Sequence, residues 1–155
     1  MRHLLAATLL ALTLPASAMA CSKPSGAAAL EQGVIQWANQ ERRAKGLNPL
    51  RPSSALMASA QQHGCDMANR GFFAHQRAGG PTIGQRAKAN GYQFRRVTEN
   101  LAYSRTAKVD TAAGIWRNSP VHWANVLDPK VNDIGVSVTT SNGRIYWVMN
   151  AGRHK

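Results

Sequence analysis

The sequence predicts an α+β fold, with helices packed on a small antiparallel sheet. Two observations carry that expectation. Apolar residues recur at helical spacing through the first half of the chain, and residues 134–149 alternate on either side of an Asn142-Gly143 turn. Helices first and strands last, in a chain of 155 residues, is the order of a layered sandwich with one core.

Residues 1–20 read as an export signal peptide: Arg2, an apolar run over 4–14, Pro15 as a breaker, then the small residues Ala16, Ser17, Ala18 and Ala20. The run is shorter than the roughly 20 apolar residues of a permanent span, and no later stretch approaches that length. The expectation is a secreted or periplasmic monomer, with residues 21–155 forming a single domain and no transmembrane segment. Its two cysteines, Cys21 and Cys65, both follow the leader and in an oxidising compartment form one disulfide. Lipidation of Cys21 is the competing outcome. Ala18 stands where lipoprotein leaders carry leucine, which favours the disulfide.

The chain has 19 Lys+Arg against 7 Asp+Glu, a net charge of +12 that becomes +11 when Arg2 leaves with the leader. Such a surface favours anionic partners, and contact with them weakens in salt. The charges are scattered singly or in pairs (Arg42-Arg43, Arg95-Arg96) with no basic run, and export argues against a nucleic-acid role. The partners expected are lipid, glycan or another anionic component of the cell envelope.

The elements follow in order. Leu30, Val34, Trp37 and Glu41 share helical spacing in a first helix over 27–45, stopped by Gly46. Pro49 and Pro52 then hold a link whose leucines plug the core. Ser53 or Ser54 caps a second helix in which Leu56, Ala60, His63 and Met67 form a stripe ending at Gly71, so His63 reads as a structural core histidine. Phe72 and Phe73 are expected to bury and to display His75 at the mouth of a loop. Thr82 with Gln85 fits a capping box for a short helix over 83–90. Residues 92–103 are aromatic and β-branched and read as extended. They lead to Glu99, for which a salt bridge to Arg95, Arg96 or Arg105 is the simplest role. A helix over 110–118, capped by Asp110, turns Ile115 and Trp116 inward.

Residues 115–129 carry the densest structural instruction. Ser119-Pro120 reads as a helix start, Trp123, Val126 and Leu127 anchor that helix, and Asp128-Pro129 stops it. His122 is thereby fixed in a rigid first turn. That suits a functional imidazole and equally a buried structural one.

Read in sequence, Asn39, Arg42, residues 46–50, Met67-Ala68, residues 71–75, Gly91-Tyr92, Glu99-Asn100, Trp116, residues 119–122, 134–136 and 146–148 form an ordered series of motifs over about residues 30–150. This series resembles the CAP superfamily, the SCP domain of cysteine-rich secretory, antigen 5 and pathogenesis-related 1 proteins, in its bacterial secreted branch. The resemblance implies an α-β-α sandwich. It also implies a cleft tetrad of two histidines and two glutamates able to hold a divalent metal such as zinc. Matched by motif, three members are His75, Glu99 and His122. Ser119 stands where the second glutamate is expected, Val121 where bacterial members carry glycine, and Trp123 where arginine is usual.

Two imidazoles and a carboxylate with an open position suffice for zinc, yet these three come from separate elements with no tight spacing. A hydrogen-bonded Glu–His cluster is the alternative, and its carboxylate would favour protonated imidazoles and sensitivity near pH 6–7. The functional expectation is a non-enzymatic binding module. Its rivals are a serine hydrolase, with Ser119 or Ser104 as nucleophile, His122 or His75 as base and Glu99 as orienter, and a zinc hydrolase on His75, Glu99 and His122. No Gly-x-Ser-x-Gly elbow supports the serine reading.

Overall fold

A computed structural model describes residues 22–155; the expected leader and Cys21 lie outside the described residues. Helix α1 (Ala27–Ala44) forms where the sequence placed it and turns Val34, Ile35 and Ala38 into the core. Asn39 then bonds Leu50 in both senses, Nδ2 donating to its carbonyl at 2.9 Å and Oδ1 accepting its N–H at 2.7 Å. Held in this way and kept extended by its prolines, the link becomes strand β1 (Arg51–Pro52) instead of a simple connection. Pro52 is tolerated because β1 is an edge strand.

Ser53 caps α2 (Ser54–Arg70), its side chain accepting from the Leu56 N–H, and Gly71 ends it in the left-handed conformation at φ 68°. Thr82 and Gln85 form the predicted capping box of α3 (Ile83–Ala89). The extended segment is strand β2 (Phe94–Ser104). Two details differ from expectation in α4 (Val109–Arg117). Lys108 occupies the cap position with no side-chain bond, leaving Asp110 in the first turn, and Ile115 is exposed while Trp116 is fully buried. Trp116 alone faces inward because its indole N–H donates to the Leu101 carbonyl at 2.9 Å.

Helix α5 (Pro120–Val126) begins at Ser119-Pro120, but the Ser119 side chain makes no capping bond; proline at the first helical position sets the backbone. Buried Arg42 fixes the far end of α5. Its guanidinium donates to the carbonyls of Asn48, Val126 and Asp128, each at 2.9 Å, satisfying groups that the helix end leaves open. The hairpin of β3 (Asp133–Ser141) and β4 (Arg144–His154) closes through Asn142 and Gly143, both at positive φ (50° and 70°), as a tight antiparallel turn requires.

The sheet order is β1-β3-β4-β2. It is mixed and not wholly antiparallel, because β1 pairs parallel to β3 through Arg51↔Asp133 and Pro52↔Ile134. Helices cover both faces, so the hairpin is buried on both sides. Ile134, Val136, Val138, Trp147 and Met149 pack with α1, α4 and α5, while Leu101, Tyr146 and Val148 pack with α2. Backbone contact between α2 and β3 is close at Gly135, where a Cβ would lie 2.2 Å from the Met57 nitrogen. Phe73 was expected to bury but is exposed, edge-on to Tyr103 at 5.5 Å.

Candidate functional site

Strand β2 lies at the sheet edge and its side chains alternate between the two helical layers. Glu99 is directly paired with Asn150 of β4 and points toward α2 and α3; Asn100, the next residue, points to the other layer. This alternation decides which predicted residues can meet.

On the α2–α3 side the Glu99 carboxylate is almost fully buried and both oxygens are engaged. Oε1 lies 3.0 Å from His75 Nδ1 and 3.8 Å from His63 Nε2. Oε2 accepts from Arg86 Nη2 at 2.7 Å, in a pair where each side chain is 2% exposed. The Asn150 amide, oriented to satisfy both its ends, donates to Oε2 at 3.1 Å and accepts the Ala60 N–H at 3.3 Å. Arg86 also donates through Nη1 to the carbonyls of Pro81 (2.7 Å) and His75 (3.2 Å), so one guanidinium fastens the loop that carries His75 to the carboxylate that orients it. The predicted partners of Glu99, Arg95, Arg96 or Arg105, are its near neighbours in sequence. Arg96 instead pairs with Asp128, and Arg86 on α3 takes the role.

His63 Nε2 lies 2.9 Å from the Ala74 carbonyl, which requires the tautomer with the proton on Nε2. His63 is thus structural, as its stripe predicts, and also a member of the Glu99 cluster, which the sequence did not reveal. Burial lowers its pKa below 6.5 despite the raising effect of Glu99. His122 behaves the same way: burial comes first, and the charge of neighbouring His75 lowers its pKa further. The expectation that Glu99 would favour a protonated His122 is therefore reversed.

His122 sits in the other layer. Its carbonyl accepts from Asn100 Nδ2 at 2.8 Å, and Asn125 Nδ2 bonds Asn100 Oδ1 at 2.9 Å. Its Nδ1 is buried without a hydrogen-bond partner among the described residues. The structure brings His75 and Glu99 together and sets His122 beside His75, but it does not converge the three as a ligand shell. No group of three His, Cys, Asp or Glu among the described residues is arranged to hold a metal ion. The donor set as arranged does not fit zinc, because Arg86 already supplies a cation to Glu99 and Oε1 is bonded to His75.

What remains is a carboxylate-oriented imidazole, His75, with its side chain 59% exposed. The proposed nucleophiles do not join it. Ser104 is five residues along β2 from Glu99, about 17 Å at strand spacing, and it donates to the Thr106 carbonyl while accepting from Trp147 Nε1. Ser119 is hydrogen-bonded to neither imidazole. No cysteine among the described residues is free, and the partner expected for Cys65, Cys21, lies outside them.

Comparison with known proteins agrees with this architecture. The chain is 32% identical over 123 residues to the uncharacterized protein YkwD of Bacillus subtilis, covering 77% of this chain and 46% of that protein. Among solved structures it is similar to an extracellular SCP-domain protein of Bacillus anthracis (TM-score 0.75, 24% identity, 82% of this chain and 41% of that one). It is also similar to an outer surface protein of Borrelia burgdorferi (TM-score 0.78, 19% identity, 88% and 100%). The chain thus spans about half the length of the first two relatives. No helix among the described residues is long and apolar enough to cross a membrane. The model of the cysteine-rich secretory protein family matches residues 36–151, and the chain belongs to that family, CAP.

Proposed function

We propose that this chain is an extracellular, non-enzymatic binding module whose partner is an anionic component of the cell envelope. The observation that carries this reading is the state of Glu99: both carboxylate oxygens are held, by His75 and by buried Arg86. A carboxylate so engaged orients and fastens a loop, and it is poorly placed to act as a base or as a zinc ligand. The net charge and the extracellular or surface character of the similar bacterial proteins support the choice of partner and compartment.

The test uses purified protein lacking residues 1–20. Metal content and zinc affinity are measured together with fluorophosphonate labelling and binding to anionic phospholipid vesicles and an acidic polysaccharide. The expected result is no stoichiometric zinc, no labelling, and binding that weakens as salt rises. Stoichiometric zinc that a His75→Ala/His122→Ala variant fails to hold would overturn it in favour of a metal centre. Labelling that disappears in Ser119→Ala would overturn it in favour of a serine hydrolase.

A further inference from the structure

A cavity of about 580 Å³ has Gln62, Asp66, Asn69, Arg70, Arg77 and Arg86 among its lining residues, with Arg86 also bonded to Glu99. Gln62, Asp66 and Asn69 recur on one stripe of α2, and Arg77 reaches in from the loop that carries His75. Asp66 sits between two guanidinium groups. Arg70 Nε donates to its Oδ1 at 2.5 Å, and Arg77 Nε lies 3.4 Å from its Oδ2.

The geometry of those contacts matters more than their charge. A guanidinium has five N–H groups in a planar fork, and each of these two turns its Nε toward Asp66, Arg70 through a hydrogen bond and Arg77 at ion-pair distance only. Among the described residues both Nη groups of Arg70 and Nη2 of Arg77 make no hydrogen bond, while Arg77 Nη1 makes only a long one, 3.4 Å, to Ala78. Asp66 therefore faces the inner nitrogens of both forks and leaves their outer ends for a ligand. A carboxylate offers one edge to one fork. A phosphate offers several oxygen edges and suits two. Arg86 adds to the positive lining, and its Nε–H has no acceptor among the described residues. The cavity exceeds a lone anion and lies within the usual range for small-molecule sites, and the amides of Gln62 and Asn69 suit hydroxyl groups.

We propose that this cavity binds a phosphate group carried by a hydroxyl-rich molecule, with Arg70 and Arg77 clamping the phosphate. The proposal rests on the binding-module reading and names the chemistry of one partner.

The experiment is calorimetric titration of the protein lacking residues 1–20 with inorganic phosphate and glycerol 3-phosphate, and flotation with phosphatidylglycerol vesicles. Three variants accompany it: Arg70→Gln/Arg77→Gln, Arg70→Lys/Arg77→Lys, and Arg117→Gln as a control for scattered charge. Glycerol 3-phosphate should bind one to one and more tightly than inorganic phosphate. Affinity should fall at least about tenfold in the glutamine variant, recover only in part with lysine, and stay unchanged in Arg117→Gln. Vesicle binding without soluble binding supports the proposal, with a lipid headgroup as the source, if the glutamine variant abolishes it. No saturable binding of any probe, full recovery by lysine, or an equal loss in Arg117→Gln would overturn it. Undiminished polysaccharide or vesicle binding by the glutamine variant would overturn the cavity assignment and leave the binding module standing. Turnover of the ester would overturn both.

Discussion

Arg86 Nη2 and Glu99 Oε2 meet at 2.7 Å between two side chains that are each 2% exposed. One member is on a short helix and the other on an edge strand, so the pair joins two layers of the fold at the cleft. Removing the cation would leave a buried carboxylate uncompensated. Arg86→Met is therefore expected to lower stability by about 3–5 kcal/mol, and Arg86→Met combined with Glu99→Leu by less than the sum of the single changes. Urea unfolding of the four proteins as a double-mutant cycle measures the coupling. Additive losses would show that the two groups do not depend on each other.

Two histidines, buried His63 and half-buried His122, set an acid limit. His63 and His122 both have folded-state pKa values lowered by burial from 6.5. Below about pH 6.5 the unfolded chain takes up protons that the folded chain refuses, so stability is fully present above that pH and declines as pH falls toward the folded values. Each histidine contributes a slope of at most about 1.4 kcal/mol per pH unit. Chemical denaturation between about pH 5 and 8 should show this decline, and His122→Asn should make it shallower. An identical pH profile in the variant would show that His122 is not the group responsible.

Much of this fold is legible in the sequence because local chemistry fixes it. Ser53, the Thr82–Gln85 box, Gly71 and Asn142-Gly143 each meet a backbone need within a few residues, and each element bound followed. What failed to show was long-range. The parallel pairing of β1 depends on Asn39 gripping Leu50 eleven residues away, and nothing in a two-residue strand announces it. At the site, motif order located His75, Glu99 and His122, but not Arg86. The only hint lay in the spacing of α3, where Arg86 falls three residues after Ile83 on a helix with few other buried positions. Which imidazole reaches Glu99 is set by the alternation of an edge strand between two layers, and that needs the sheet to be assembled.

Ser119 and Thr82 look alike as helix starts and differ in what their side chains do. Thr82 Oγ1 accepts the Gln85 N–H at 3.2 Å and Gln85 Oε1 accepts the Thr82 N–H at 2.8 Å, whereas Ser119 makes no capping bond. Thr82→Ala should therefore cost about 1 kcal/mol, and Ser119→Ala under about 0.5. Thermal unfolding of the two variants side by side tests it, and a larger loss at Ser119 would reassign its hydroxyl.

The disulfide proposed between Cys21 and Cys65 would tie the start of the mature chain to the middle of α2, across 44 positions. In the chain-entropy account, closing a loop of that size stabilises by roughly 3–4 kcal/mol. Its anchor is firm, since Ser22 already accepts a backbone bond from Thr140 at the end of β3, 2.9 Å long, and α2 packs against that strand. Protein lacking residues 1–20 is expected to yield no free thiol on denaturation without reductant. A Cys21→Ser/Cys65→Ser variant should fold but unfold at lower denaturant, with a larger m-value because its unfolded chain is no longer cross-linked. Two free thiols per chain in that unreduced protein would show that the pair does not form, and one free thiol in the full chain exported with its leader would return lipidation of Cys21 to first place.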